Sequence, residues 1–187
     1  MVDHYIFLRH GESDWNVARR CIGALDRPLT ARGRAQAQAA GEACRSLPFG
    51  IIFHSPLQRA AETARAIAAR TGRPMLSRPE LVEANLGVKQ GAREDDPDDR
   101  FFEAWLAGAA IREAETFLEL QQRARAAVQT CLAAASGAPP LLVGHSAFFR
   151  ALCVVEGLPA FAPDHAAPYG MPSGARLKPR LDPPAPP

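Results

Sequence analysis

Short apolar runs alternate along this chain with longer stretches in which apolar residues recur at helical spacing. His4 to Leu8 is apolar, aromatic and β-branched, and reads as a buried strand ending at Arg9-His10-Gly11. Glu12 to Pro28 is polar and loop-like, and Thr30 then serves as the N-cap of a helix to about Ser46. Gly50 to Phe53 is a second strand. Ser55 and Pro56 follow as N-cap and first residue of an alanine-rich helix to Thr71, stopped by Gly72. Arg73 to Arg100 has no regular period, and its acidic segment, Glu94 to Asp99, reads as a solvated loop. Thr116 and Glu119 form a capping box ahead of a helix to about Ala135. Leu141 to Val143 is a third strand, ending at Gly144-His145-Ser146, with a helix after it from about Phe148 to Glu156. A last strand falls at Ala175 to Lys178, before a tail carrying Pro183, Pro184, Pro186 and Pro187 that is expected to be disordered.

Strands alternating with helices predict a three-layer α/β/α sandwich around a mostly parallel sheet. No internal repeat or linker interrupts the pattern, so residues 1–180 read as one domain and 181–187 as a proline-rich tail. Two of the strands run into histidines, His10 and His145, each beside a glycine. Open α/β sheets bind their ligands at the carboxyl ends of the strands, which directs attention to that pair.

Composition narrows the partners. Hydrophobic residues make up 47% of the chain, charged residues 22%, and the net charge is +2. That is the balance of a soluble globular protein, with no field suited to nucleic acid or an anionic membrane. No run of ~18 apolar residues exists to span a bilayer, and Arg9 and His10 precede any stretch suited to a secretion signal. Cys21, Cys44, Cys131 and Cys153 have neither zinc nor redox spacing and read as buried thiols in a reducing, cytoplasmic compartment. The sequence carries no signal for oligomeric state.

Arg9-His10-Gly11-Glu12 places a cation, a titratable nucleophile, a backbone-permissive residue and an acid at one strand end. Leu8 to Ser13, then Trp15-Asn16, then Asp26-Arg27-Pro28-Leu29-Thr30 with Gly33 and Gln36, resembles the histidine phosphatase superfamily, the phosphoglycerate-mutase-like group. The resemblance continues through Ser55 to Ala64, Leu81-Val82-Glu83 with Gly87, and Val143-Gly144-His145-Ser146 followed by Arg150-Ala151-Leu152. It implies an α/β/α fold and a phosphomonoester substrate, with His10 attacking phosphorus to give a phosphohistidine. Arg9 and Arg59 would grip phosphate oxygens, His145 would stabilise the transferring group, and Glu83 would protonate the leaving alkoxide and later activate water. Asn16, Gly11, Gly23 and Ser146 would complete the substrate contacts. Glu80 is the rival to Glu83 as acid.

The chemistry is consistent with those roles. A phosphoryl group in transfer spreads negative charge over its oxygens, and planar, permanently charged guanidinium forks match it. No metal or other cofactor is expected. His10, Glu83 and His145 could in principle ligate zinc, but they lack a short ligand spacing, and two arginines in the same pocket would repel a dication.

The match departs from the mutases at several positions. Ile22 stands for a substrate-contacting threonine, Ala84 for an arginine after the acid, and Val88-Lys89-Gln90 for the usual residues after Gly87. Ser146 replaces a glycine. The changes at Ile22, Ala84 and Val88-Lys89-Gln90 remove contacts to phosphoglycerate rather than pieces of the phosphoryl cradle, which favours hydrolysis over isomerisation, and the change at Ser146 narrows the pocket. A non-catalytic phosphate-binding module is the alternative outside the enzymes. Retention of His10, Arg9, Arg59, Glu83 and His145 together argues against it.

Overall fold

The computed structural model describes residues 3–172 and 174–176. The expected proline-rich tail, and the Leu177-Lys178 end of the last expected strand, lie outside them.

Six strands form one sheet in the order β3-β2-β4-β1-β5-β6. They are β1 (Tyr5–Arg9), β2 (Ile51–His54), β3 (Met75–Ser77), β4 (Pro140–Gly144), β5 (Pro168–Met171) and β6 (Ala175–Arg176). The first four run parallel; β5 joins β1 antiparallel, and β6 joins β5 antiparallel. The helices are α1 (Asp14–Val17), α2 (Ala31–Cys44), α3 (Gln58–Thr71), α4 (Phe101–Leu106), α5 (Phe117–Ala134) and α6 (Ser146–Val155).

Side chains along a strand alternate between the two faces of the sheet, and the core divides accordingly. Ile6 and Leu8 of β1, Ile52 of β2, and Leu141 and Val143 of β4 cluster with Ala40, Ala60, Ala64 and Ile67 of α2 and α3. Tyr5, Phe7, Phe53 and Leu142 cluster with Trp105, Leu120, Val128, Phe148 and Phe149 of α4, α5 and α6. A strand covered on both faces must be apolar throughout, which is why β1 and β4 are legible as unbroken apolar runs. The structure is the expected α/β/α sandwich with a mostly parallel sheet. On the first face α2 and α3 approach through small residues, so that a Cβ at Gly41 would stand 3.0 Å from the carbonyl oxygen of Ala66.

Two caps formed as expected. Thr30 Oγ1 accepts from the Gly33 amide at 2.9 Å, and Thr116 and Glu119 close a reciprocal box at the start of α5. Two helix starts differ from the sequence reading. Helix α3 opens at Gln58 rather than at Pro56, because the Gln58 amide is capped from another loop by Asp26 Oδ1 at 2.7 Å. Helix α6 opens at Ser146 rather than near Phe148, its first amides being capped by Glu83. The stretch from Arg73 to Arg100, expected to be irregular, holds the edge strand β3 and two short 3-10 turns, at Pro79–Leu81 and Gly87–Lys89. Likewise the polar segment after Glu12 includes α1, one turn closed by Ser13 and Asn16. Among the described residues no helix is long and apolar enough to cross a membrane.

Candidate active site

Parallel pairing of β1 with β4 sets Arg9 opposite Gly144, so the residues that follow them come side by side. The His10 amide donates to the Gly144 carbonyl at 3.0 Å, and the rings of His10 and His145 lie 5.2 Å apart between centroids. His10 is buried, with Nδ1 2.6 Å from the Gly11 carbonyl oxygen. A carbonyl can only accept, so Nδ1 carries the proton and Nε2 keeps its lone pair. Burial, reinforced by the charges of Arg59 and Arg9, holds the His10 pKa well below 6.5, and the ring is neutral at neutral pH.

Two guanidinium groups flank it. Arg59, the second residue of α3, is 1% exposed; its Nη1 donates to the Leu25 carbonyl at 2.7 Å and Nη2 to the Gly23 carbonyl at 2.9 Å. Burial lowers its pKa to about 10, which leaves it charged. Arg9 at the end of β1 donates through Nη1 to the Pro163 carbonyl at 3.2 Å. The Nε of each arginine, and both ring nitrogens of His145, are buried without a hydrogen-bond partner among the described residues. The two guanidinium Nε–H groups and the single N–H of the neutral His145 ring are buried donors, costly unless paired, and an anion with several oxygens is the partner that suits them together.

Glu83 enters from the loop after β3 and is 9% exposed. Its Oε1 accepts from the amides of Ala84 at 2.9 Å and Phe148 at 3.0 Å, and its Oε2 from Ala147 at 3.0 Å. One carboxyl group therefore caps the helix that follows His145 and fixes its own orientation beside the two histidines' strands. Glu80, by contrast, is exposed and away from the site; Arg123 donates to its backbone carbonyl.

A cavity of about 440 Å³ opens here, bordered by His10, Arg9, Arg59, Glu83, Asn16, Gly23 and Ser146 among others. Seven of the residues expected from the sequence thus converge on one space. His145 is fully buried, its ring beside that of His10. Asn16 turns its Oδ1 toward Ser13, accepting from that residue's amide at 3.0 Å and hydroxyl at 2.8 Å. Gly11 is placed differently from the expectation of a substrate contact. Its amide donates to Thr63 Oγ1 at 3.1 Å, and a Cβ there would meet the Gly33 carbonyl oxygen at 2.3 Å. Its contribution is to let two backbones touch.

The sequence reading missed His165, Thr63, Arg150 and Glu94. His165 Nδ1 lies 2.9 Å from the His10 carbonyl oxygen, and the two rings are 5.6 Å apart. Thr63 lies in the Ser55 to Ala64 motif and Arg150 in the one that follows His145, so both carry a signal in the sequence; His165, in an irregular segment, carries none. Glu94 was absorbed into the acidic run, yet it borders the cavity. Among the described residues no group of three or more histidine, cysteine or acidic side chains is arranged to hold a metal ion.

Fold and site together define an α/β sandwich whose strand-end histidines and two arginines gather at one cavity. Residues 5–166 match the histidine phosphatase superfamily (branch 1), and the chain belongs to that family. It is similar to the probable phosphoglycerate mutase GpmB of Proteus mirabilis, 39% identical over 163 residues, covering 83% of this chain and 75% of that protein. The protein of the same name from Enterobacter is 37% identical over the same span. Among solved structures, a mycobacterial glucosyl-3-phosphoglycerate phosphatase in complex with VO3 superposes with a TM-score of 0.78 at 30% identity, covering 90% of each chain. The protein TTHB049 of Thermus thermophilus gives 0.75 at 29% identity, covering 94% of this chain and 99% of that one.

Proposed function

We propose that this protein hydrolyses phosphomonoesters through a covalent phosphohistidine on His10, without a metal ion. The observation that carries the reading is the state of His10: neutral, proton fixed on Nδ1 by the Gly11 carbonyl, between two buried guanidinium groups. In the first step Nε2 forms a bond to phosphorus as the bond to the ester oxygen breaks. Arg9 and Arg59 balance the charge on the phosphoryl oxygens, and a ring N–H of His145 donates to one of them. Glu83 gives its proton to the departing alkoxide. In the second step a water molecule attacks phosphorus, its proton passes to Glu83, and the phosphorus–nitrogen bond breaks to release inorganic phosphate. Asn16, Gly23 and Ser146 border the bound ester.

A phosphoglycerate mutase activity is the second reading, favoured by the names of the GpmB relatives. Ile22 and Ala84 weigh against it, because each removes a polar contact that phosphoglycerate needs. A substrate panel decides between them. Purified protein incubated with 3-phosphoglycerate, sugar monophosphates and 4-nitrophenyl phosphate should release inorganic phosphate. Conversion of 3-phosphoglycerate to its 2-isomer faster than phosphate appears would establish the mutase instead.

A further inference from the structure

Beyond the residues that would hold the phosphoryl group, the same cavity is bordered by Glu94, Glu103, Arg150, Phe102 and Leu106. These come from three separate parts of the chain: the acidic loop, α4 and α6. Arg150 lies with its guanidinium over the Phe102 ring, 5.7 Å from the centroid, and its buried Nε has no hydrogen-bond partner among the described residues. Burial lowers its pKa, opposed through space by Cys153, Glu83 and Glu94. Glu94 stands on the rim; burial of its carboxyl raises its pKa, and Arg9 pulls it back down. Glu103 shares one oxygen with Arg100 at 3.3 Å in an exposed pair, leaving its other oxygen without that partner.

This part of the cavity therefore combines two acceptor-only groups, one donor-only group and an apolar surface. A hydroxyl is the substrate group that satisfies both kinds, since it donates to a carboxylate and accepts from a guanidinium. Carbon-bound hydrogens of the same molecule can lie on Phe102 and Leu106. With Arg9 engaged by the phosphoryl group and Glu103 partly offset by Arg100, a second anion on the substrate would meet the Glu94 carboxylate beside Arg150, a repulsive element of the kind that sets specificity.

We infer that Glu94, Glu103 and Arg150 hold the alcohol half of the substrate and select a neutral, polyhydroxylated leaving group over one that carries a carboxylate. The substrate class is then a sugar or polyol monophosphate. This rests on the phosphomonoesterase reading above and adds to it the identity of the leaving group.

The test is a ratio, so that partial loss of folded enzyme cancels. kcat/KM is measured for a hexose monophosphate, 3-phosphoglycerate, phosphoethanolamine and 4-nitrophenyl phosphate with wild type, Glu94→Lys and Glu94→Gln. Wild type should prefer the hexose ester to phosphoglycerate by at least about tenfold, and Glu94→Lys should reduce that ratio by about tenfold or more. Glu94→Gln, which removes charge and keeps shape, should move the ratio the same way by less. An unchanged ratio in both variants overturns the inference, and so does a wild-type preference for phosphoethanolamine, which would mean that the acids read a cation. Failure of wild type to turn over 4-nitrophenyl phosphate would instead defeat the phosphomonoesterase reading. The selectivity is then judged by the ratio of calorimetric dissociation constants for the hexose ester and phosphoglycerate, with the same two outcomes.

Discussion

His165 is tied to the backbone of His10: its Nδ1–H donates to the His10 carbonyl oxygen at 2.9 Å, although 155 positions separate the two residues. The carbonyl fixes which nitrogen of His165 carries the proton, and the ring in turn holds the end of β1. Burial, with Arg9 nearby, pushes the pKa of His165 from 6.5 down to about 4. In the unfolded chain His165 binds a proton as the pH falls through 6.5, whereas the folded protein refuses it until about pH 4. Its contribution to stability is therefore complete above pH 6.5 and is lost as the pH falls toward 4. His165→Asn, whose amide can donate to the same carbonyl, should flatten the dependence of Tm on pH across that window. An equally steep slope in the variant would show that His165 does not titrate this way.

Replacement of the nucleophile gives the plainest result. His10→Ala should abolish both turnover and acid-labile phosphoenzyme while the protein still unfolds cooperatively. Hydrolysis of a phosphomonoester within about tenfold of wild type, a loss of only ~1.4 kcal/mol, would remove His10 from the mechanism.

Glu83→Gln separates acid catalysis from phosphate binding. Alkyl phosphate hydrolysis should slow by roughly 10²–10⁴-fold, whereas the burst of nitrophenolate from an aryl ester should suffer much less, because that leaving group departs without a proton. Gln also places an NH2 where Oε1 or Oε2 now accepts backbone amides, so a lower Tm is expected at the same time. Equal slowing of both leaving groups in the burst would mean that Glu83 is not the acid.

Prolonged chelation should leave turnover intact, since Arg9, Arg59 and His145 supply the positive charge and donors that a metal would bring. Activity lost to the chelator and restored by titrating magnesium or zinc back would overturn the metal-free mechanism.

Gly11→Ala tests the contact of two backbones. Its Cβ would stand 2.3 Å from the Gly33 carbonyl oxygen, and a Cβ on Gly33 would stand 2.0 Å from that of Glu12. Neither backbone can yield without shifting the strand end or the first turn of α2, so each substitution should cost about 1–3 kcal/mol. Chemical denaturation of the Gly11→Ala and Gly33→Ala variants measures it, and wild-type midpoints would show that the two backbones have room for a Cβ.

What could be read from the sequence follows from where each element sits. β1 and β4 are central and covered on both faces, so their apolar runs leave little room for another reading. β5 is read poorly because Pro168 and Gly170 break the pattern of a strand, and β3 because it is a short edge with Leu76 46% exposed. The two helix starts that moved, at Gln58 and Ser146, are capped by Asp26 and Glu83 from distant loops, whereas local patterns report only local caps. The convergence of Arg9, His10, Arg59, Glu83 and Ser146 on one cavity was legible because these residues fall in compact motifs. His165 and Glu94 reach the site through tertiary folding alone, and no short-range pattern marks them.

Under the proposed mechanism, the carbonyls of Gly23 and Leu25 that hold Arg59 have a consequence for how quickly and tightly a phosphate is seized. A surface arginine must give up rotamer freedom when it grasps a ligand, a loss of about 0.5–1.5 kcal/mol for such a side chain. Arg59 has given it up already during folding, in a slot that only a flat fork with several donors can occupy. Lysine has a single charged tip and could not reach two carbonyls and a ligand at once. On that reading the loop from Gly23 to Leu25 is part of the grip, and a change in its backbone should be felt as a change in affinity through Arg59.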